Sequence, residues 1–196
     1  AAVLPATEAV APTARPSVRQ VLASTVSAPA PRLFTIAVGF GGLAMSTMLV
    51  FQVPVMTAAG LGSATAASMA GLRGFCQLGG RIPLSPLVNW LGRDRALILA
   101  FAAMTIGGVL LSAAGNMPIA VAFAIVAGFG IGAFSPLQGM KGEELFERDQ
   151  LGATMGVYGA VLLLVGSPGP IIGGVILERT GEARWVTLIV IGAATI

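Results

Sequence analysis

The sequence contains no histidine, a single cysteine and few charged residues. Asp, Glu, Lys and Arg make up only 10% of its 196 residues, against about 25% in an ordinary globular domain. So little charge could not cover the surface of a compact soluble protein, and the composition argues against a soluble enzyme. Without histidine there is no histidine-based catalysis or metal site, and Cys76 alone can form neither an internal disulfide nor a cysteine cluster. We therefore predict no metal, no cofactor and no enzymatic activity.

The basic residues are few and dispersed. The chain has 11 Lys and Arg against 8 Asp and Glu, which gives a formal net charge of +3. The basic residues form no run and are not interleaved with aromatic residues, which argues against nucleic-acid binding. Basic residues scattered between apolar segments are typical of the loops of a membrane protein.

Long uncharged runs dominate the rest of the chain. Residues 33–72 and 96–140 contain no charged residue, and each run could form two helices of about 20 residues across a bilayer. The pattern predicts six spans, near residues 33–56, 64–91, 96–114, 118–138, 152–176 and 185–196. The last would cover only about 18 Å of a hydrocarbon core of about 30 Å. Because the chain opens at Ala1 and stops inside an apolar run, we expect a fragment with a truncated sixth helix.

Residues 1–32 differ in composition from these spans. They are rich in alanine, and their spaced prolines disfavour a long helix, so we predict a linker. If this linker is cytoplasmic, the inner loops carry seven basic residues and the outer loops two, which follows the positive-inside rule. The inner set would be Arg15, Arg19, Arg32, Arg93, Arg95, Lys141 and Arg148, and the outer set Arg179 and Arg184.

Glycine is frequent, and much of it lies inside the predicted spans. The chain has 27 glycines, including pairs four residues apart such as Gly128/Gly132, Gly152/Gly156 and Gly169/Gly173. Small residues at this spacing let helices in a membrane approach closely. The predicted fold class is an all-α, polytopic bundle of transmembrane helices.

Over residues 20–196 the chain resembles the C-terminal six-helix half of a major facilitator superfamily transporter with its central linker. The resemblance rests on the six-span pattern, on Gly80-Arg81 with Leu91-Gly92-Arg93, and on Gly166-Ser167-Pro168-Gly169-Pro170-Ile171-Ile172-Gly173-Gly174 followed by Leu177-Glu178-Arg179-Thr180-Gly181. It implies half of a twelve-helix fold, secondary transport by alternating access, and three partners: the bilayer, a small-molecule substrate and an N-terminal six-helix half. A bacterial inner membrane is the expected location.

The resemblance also indicates gating elements. Gly92 and Arg93 match the family's cytoplasmic turn, although Asn89 and Trp90 stand where an aspartate and a basic residue are usual, so the gating role is not carried onto Asn89. The glycines and prolines of the fifth span suit a helix that bends and rocks. The predicted gating or packing residues there are Gly166, Pro168, Gly169, Pro170, Gly173 and Gly174.

Candidate substrate-binding residues lie on the second span. Arg81 lies about 16 Å from the inner end of its helix, where an arginine costs at least about 2.5–3.5 kcal/mol and needs a partner or a water-filled cavity. Its planar guanidinium group can donate two parallel hydrogen bonds to a carboxylate. Arg73 and Gln77 precede it by eight and four residues, in one slanting stripe. The family's organic-anion carriers commonly use an arginine on this helix, which implies the same role for Arg81.

Each of these residues has a structural alternative. Arg81 could pair with carbonyls freed by Pro83 and Pro86 or with an acidic residue of the other half, and Arg73 could extend to the outer headgroups. Tyr158 could contact substrate or anchor the helix at the interface. Gln52 is expected to make interfacial hydrogen bonds without a functional role.

No Asp or Glu lies inside a predicted span, so the sequence shows no intramembrane proton carrier. The arginines without internal acids predict a carrier of a small organic anion. A drug or metabolite efflux carrier for neutral or cationic compounds, and a membrane interaction protein without transport activity, remain as alternatives.

Overall fold

The computed structural model describes Gln20, Ala23 and residues 28–146 and 151–196. Within these residues the chain forms helices and no strand. The helices are α1 (Pro29–Ala58), α2 (Ser63–Arg81), α3 (Leu84–Leu91), α4 (Arg93–Ser112), α5 (Met117–Leu145), α6 (Leu151–Gly166), α7 (Pro168–Thr180) and α8 (Val186–Thr195), with a 3-10 turn at Ala183–Trp185. The prediction of an all-α fold is confirmed. Most of the predicted linker, and Arg148, lie outside the described residues.

Helix α1 begins earlier than the composition suggests. It starts at Pro29, inside the segment 1–32 that the composition predicts to be a linker, and Pro31 follows in its first turn. Backbone N–H groups in the first turn have no acceptor within the helix, so prolines at these positions remove no hydrogen bond of the helix. The prolines at 29 and 31 therefore mark the start of a helix, where the sequence pattern suggested a segment without one.

The second predicted span, 64–91, is not one helix. It is broken after Arg81, and α3 starts at Leu84 with Pro83 at its N-cap position. A proline cannot donate to the carbonyl four residues before it, and its ring clashes with that carbonyl, so Pro83 ends the regular helix. Arg81 is consequently the last residue of α2.

The fifth predicted span, 152–176, is also divided. Helix α6 ends at Gly166, α7 begins at Pro168, and the segment extends to Thr180. Gly181 ends α7 with a left-handed φ of +68°, which glycine adopts without a steric penalty.

Among the described residues, four segments are long and apolar enough to cross a membrane: Pro29–Ala58, Arg93–Ser112, Met117–Leu145 and Leu151–Thr180. The segment Ala183–Thr195 is apolar but shorter. The broken pair α2–α3, which carries Arg73 and Arg81, is absent from this set.

Helix α5 is central to the packing, because it lies between α2 and α4, and α1 joins α6, α7 and α8 to the bundle. The core contains fully buried large side chains from α1 and α5, among them Met48, Met56, Phe123 and Phe134. Glycines bring the backbones of these helices together, as small residues do in membrane bundles. A Cβ on Gly130, for example, would meet the Ala100 carbonyl of α4 at 2.9 Å.

Candidate functional site

The backbone of α2 lies directly against α5 along the stripe that carries Arg73 and Gln77. A Cβ on Gly128 of α5 would lie 2.6 Å from the Arg73 carbonyl oxygen, and a Cβ on Gly132 would clash with the Gln77 carbonyl. A Cβ on Gly80 of α2 would likewise clash with the Phe129 carbonyl. These contacts hold the backbone of the candidate binding residues at a fixed distance from α5.

Arg73 is buried, with 7% of its surface exposed. Its Nε donates a hydrogen bond of 2.7 Å to Oε1 of Gln52 on α1. The NH1 atom is buried and has no hydrogen-bond partner among the described residues. No carboxylate of the described part of the chain forms a salt bridge with Arg73. The site is therefore a buried cation with a free donor and no compensating acid in that part of the chain.

Gln52 is itself held in place. Its Nε2 donates a hydrogen bond of 3.0 Å to the Leu49 carbonyl of the same helix, and only 6% of the residue is exposed. With the amide nitrogen engaged, the oxygen of Gln52 is the atom presented to Arg73. The expectation that Gln52 makes interfacial hydrogen bonds did not identify this buried contact between α1 and α2.

One feature of the sequence could have pointed to Gln52. It is the only amide or charged side chain between Arg32 and Arg73. A lone amide in a long apolar segment needs a hydrogen-bond partner. Burying an amide without a partner destabilises a protein by about 1–3 kcal/mol. The sequence does not show which distant residue provides that partner.

Arg81 and Gln77 are placed differently from Arg73. Arg81 is exposed, and in the described residues its side chain has no ion-pair or hydrogen-bond partner, whereas Gln77 is half-buried. Residues four positions apart are rotated by about 40° around the helix axis. The stripe therefore passes from a buried position at Arg73 to an exposed position at Arg81. Arg73 therefore meets Gln52, and Arg81 lies about 12 Å farther along the helix, at eight residues of 1.5 Å.

Tyr158 lies in a separate buried cluster. Its ring packs edge-on against Phe34 at 5.1 Å and is tilted against Phe146 at 5.8 Å. Thr35 donates a hydrogen bond of 3.5 Å to the phenolic oxygen, and the residue is completely buried. The structure does not bring Tyr158 to Arg73 or Gln77, and its contact with substrate stays a prediction.

The charged turn between α3 and α4 is connected to the end of α5. Gly92 has a left-handed φ of +82°, and Arg93 donates a hydrogen bond of 3.1 Å from NH1 to the Met140 carbonyl. The Nζ atom of Lys141 lies 2.7 Å from Oδ1 of Asp94 and 3.0 Å from Oε1 of Glu144. The Lys141–Asp94 pair and the Arg93–Glu144 pair at 3.8 Å link the start of α4 to the end of α5, whereas the Lys141–Glu144 pair lies within α5.

The predicted gating segment is a helix break packed on α1. A Cβ on Gly169 would clash with the Thr47 hydroxyl, and one on Gly173 would lie 2.6 Å from the Phe51 ring, while Gly174 has no atom in reach. Pro168 is exposed and Pro170 half-buried. The two prolines leave carbonyls without their helical donors, and hydroxyl groups take their place: Ser46 bonds to the Gly166 carbonyl at 2.5 Å, and Ser167 to the Leu164 carbonyl at 3.5 Å.

Long apolar helices, glycine-mediated contacts between backbones and a buried arginine–amide pair define a polytopic integral membrane protein. The model of the Major Facilitator Superfamily matches residues 32–196. The chain therefore belongs to the Major Facilitator Superfamily, a family of membrane transporters.

Two curated relatives carry the name Multidrug resistance protein B homolog. They come from Mycobacterium tuberculosis, strains CDC 1551 / Oshkosh and ATCC 25618 / H37Rv. Each is 31% identical to this chain over 108 residues, which cover 53% of the chain and 20% of the relative. The matched segment thus spans a minor part of these relatives.

Proposed function

We propose that this chain forms part of a secondary transporter that moves a small organic anion across the membrane by alternating access. The observation that supports this proposal is the buried Arg73, which has a free NH1 donor and no carboxylate partner in the described residues. A buried unpaired cation costs several kcal/mol, and an anionic ligand would offset that cost. Guanidinium is suited to carboxylates because its planar donors match the two carboxylate oxygens.

Arg81 adds a second cationic group to the same helix. Its exposed position at the end of α2 makes it accessible to a ligand in a water-filled cavity, as expected for an arginine within a membrane segment. Arg73 would then act as the buried donor and Arg81 as the exposed one, and Gln77 between them offers a neutral hydrogen-bonding group. We propose that these three residues line the substrate path.

The two helix breaks would accommodate the conformational change. Helices that are interrupted near a binding site are a feature of secondary transporters. In this chain the break at Gly166–Pro168 faces α1, and the break at Ile82–Pro83 follows Arg81. We propose that α6–α7 rocks against α1, while the ion-paired turn around Gly92 and Arg93 stays attached to α5. The bilayer and an N-terminal six-helix half are the proposed partners, and a bacterial inner membrane is the proposed location.

A second candidate is an efflux carrier for neutral or cationic compounds. It is favoured by the name of the relatives, Multidrug resistance protein B homolog, over the matched segment. In that case Arg73 and Arg81 would serve the packing of the bundle or pair with groups outside this chain. A membrane interaction protein without transport activity would show no substrate-dependent flux at all.

Charge preference separates these functions. The intact carrier would be reconstituted into liposomes, and flux of radiolabelled benzoate would be measured below saturation, with benzamide and benzylamine as neutral and cationic competitors. For an anion carrier, benzoate moves and unlabelled benzoate competes best, and Arg73→Gln or Arg81→Gln lowers flux by about tenfold or more. Arg179→Gln, an exposed arginine at the end of α7, is the matched control and should leave flux unchanged. A carrier that moves radiolabelled benzylamine but not benzoate, with flux unaffected by Arg73→Gln and Arg81→Gln, would contradict anion transport and support the efflux alternative.

A further inference from the structure

We infer that Gln52 is a positioning residue that fixes Arg73 so that it binds an anionic ligand end-on, through NH1 and NH2. This inference rests on the proposed anion transport and specifies how the anion is held. It starts from a chain of two hydrogen bonds, from Gln52 Nε2 to the Leu49 carbonyl at 3.0 Å and from Arg73 Nε to Gln52 Oε1 at 2.7 Å. The first bond orients the amide of Gln52, and the second orients the guanidinium of Arg73.

The geometry of the guanidinium group determines which N–H donors of Arg73 remain available to an anionic ligand. Arginine offers five N–H donors, and a carboxylate can engage either the side fork, which includes Nε, or the end fork of NH1 and NH2. Gln52 occupies Nε, so the side fork is closed to a ligand. The unpaired and buried NH1 belongs to the end fork.

Arg73 is fixed at its backbone as well as at its side chain. Its carbonyl lies where a Cβ on Gly128 of α5 would approach to 2.6 Å, and its Nε is tied to α1. Holding a long side chain at both ends lowers the conformational entropy that it loses on binding a ligand. NH1 is closed to solvent in this structure, so an anionic ligand reaches it only after the groups that cover NH1 have moved.

Substitutions at Gln52 separate positioning from packing. Gln52→Leu removes the acceptor and should lower the melting temperature, because Nε is then buried without a partner. Gln52→Glu places a carboxylate beside Nε, which should keep or raise the melting temperature and neutralise Arg73. Both variants should weaken benzoate binding by about tenfold or more, although only Gln52→Leu should lower the melting temperature. Gln138→Leu, another amide in a membrane helix, is the matched control and should leave binding unchanged.

The experiment measures benzoate affinity by isothermal titration and melting temperature on the intact carrier in nanodiscs, with the Nε–H signals of ¹⁵N-labelled arginine as a third readout. We expect the Arg73 Nε–H signal to be protected from exchange in the unsubstituted protein and in Gln138→Leu, and to lose protection in Gln52→Leu. Benzoate binding that requires Arg73 but is unchanged in both Gln52 variants would overturn the positioning role and leave anion transport standing. If the unsubstituted carrier binds benzoate no better than Arg73→Gln does, both the transport proposal and this inference fail.

Discussion

The hydroxyl group of Ser46 on α1 donates a hydrogen bond of 2.5 Å to the carbonyl oxygen of Gly166 at the end of α6. In a regular helix this carbonyl would accept from the N–H four residues later, and that residue is Pro170, which has none. A side chain of a neighbouring helix therefore provides the donor that the proline removes. Membrane proteins tolerate helix breaks because neighbouring groups satisfy the freed carbonyls in this way.

Removing this hydroxyl should destabilise the protein. Ser46→Ala leaves the Gly166 carbonyl unpaired, and we expect a loss of about 1–3 kcal/mol of unfolding free energy. Ser68→Ala is the control, since Ser68 bonds to a carbonyl within its own helix, Ala64, on an exposed surface. Reversible unfolding in detergent micelles measures both. Pro170→Ala restores a backbone donor, so the cost of Ser46→Ala should shrink in that background; additive effects of the two substitutions would contradict this explanation.

Close packing of α2 on α5 predicts a difference between two glycines of α5. A Cβ on Gly132 would clash with the Gln77 carbonyl, whereas no atom of the described residues lies within 4 Å of a Cβ added to Gly139. Gly132→Ala should therefore cost about 1–3 kcal/mol through overpacking. Gly139→Ala should be neutral or stabilising by up to about 1 kcal/mol, because alanine favours the helix. Thermal unfolding of the two variants tests this, and equal melting temperatures would contradict the packing.

The turn before α4 requires glycine for its backbone conformation. Gly92 combines a φ of +82° with a ψ of 161°, a region that essentially glycine alone adopts, and no atom of the described residues lies within 4 Å of an added Cβ. Gly92→Ala should therefore lose about 1–3 kcal/mol from backbone strain alone. Gly62 is the matched control, because it precedes α2 at the same N-cap position with an ordinary φ of −60°. Gly62→Ala should have the same effect on helix capping as Gly92→Ala, but it introduces no backbone strain. Similar losses in unfolding free energy for the two variants would rule out backbone strain as the reason for glycine at 92.

The ion pairs of Lys141 should contribute measurably, while an exposed pair should not. The side chain of Lys141 is 15% exposed and contacts both Asp94 and Glu144, whereas Arg184 and Glu182 form a pair that is 65% and 46% exposed. Lys141→Met should lower the unfolding free energy by about 1 kcal/mol at low salt, and Arg184→Met should leave it nearly unchanged. Raising the salt concentration should reduce the difference, because salt screens the attraction. A Lys141→Met effect that stays constant up to 1 M salt would point to packing, with ion pairing excluded as its cause.

The amino-acid sequence was sufficient to predict an all-α membrane protein, because hydropathy and charge are local properties that can be counted along the chain. The resemblance to the Major Facilitator Superfamily also followed from local motifs, and the match to its family model confirms it. Helix ends at prolines were harder to predict. In this protein Pro83 and Pro168 mark the start of new helices, while Pro54 and Pro136 lie within α1 and α5, so a proline in the sequence does not by itself show where a helix ends.

The hydrogen bonds between polar groups of different helices, in contrast, depend on how the helices pack. Arg73 and Gln77 share a helix stripe that periodicity predicts, but the partner of Arg73 is Gln52, 21 residues away on another helix. Likewise, Ser46 and Gly166 are 120 residues apart in the chain. Such contacts depend on the distance and rotation between two helices, which small residues at their interfaces set through packing. No local pattern encodes that geometry, so the composition predicted a membrane bundle with intramembrane arginines, and the packing determined which donors remain free.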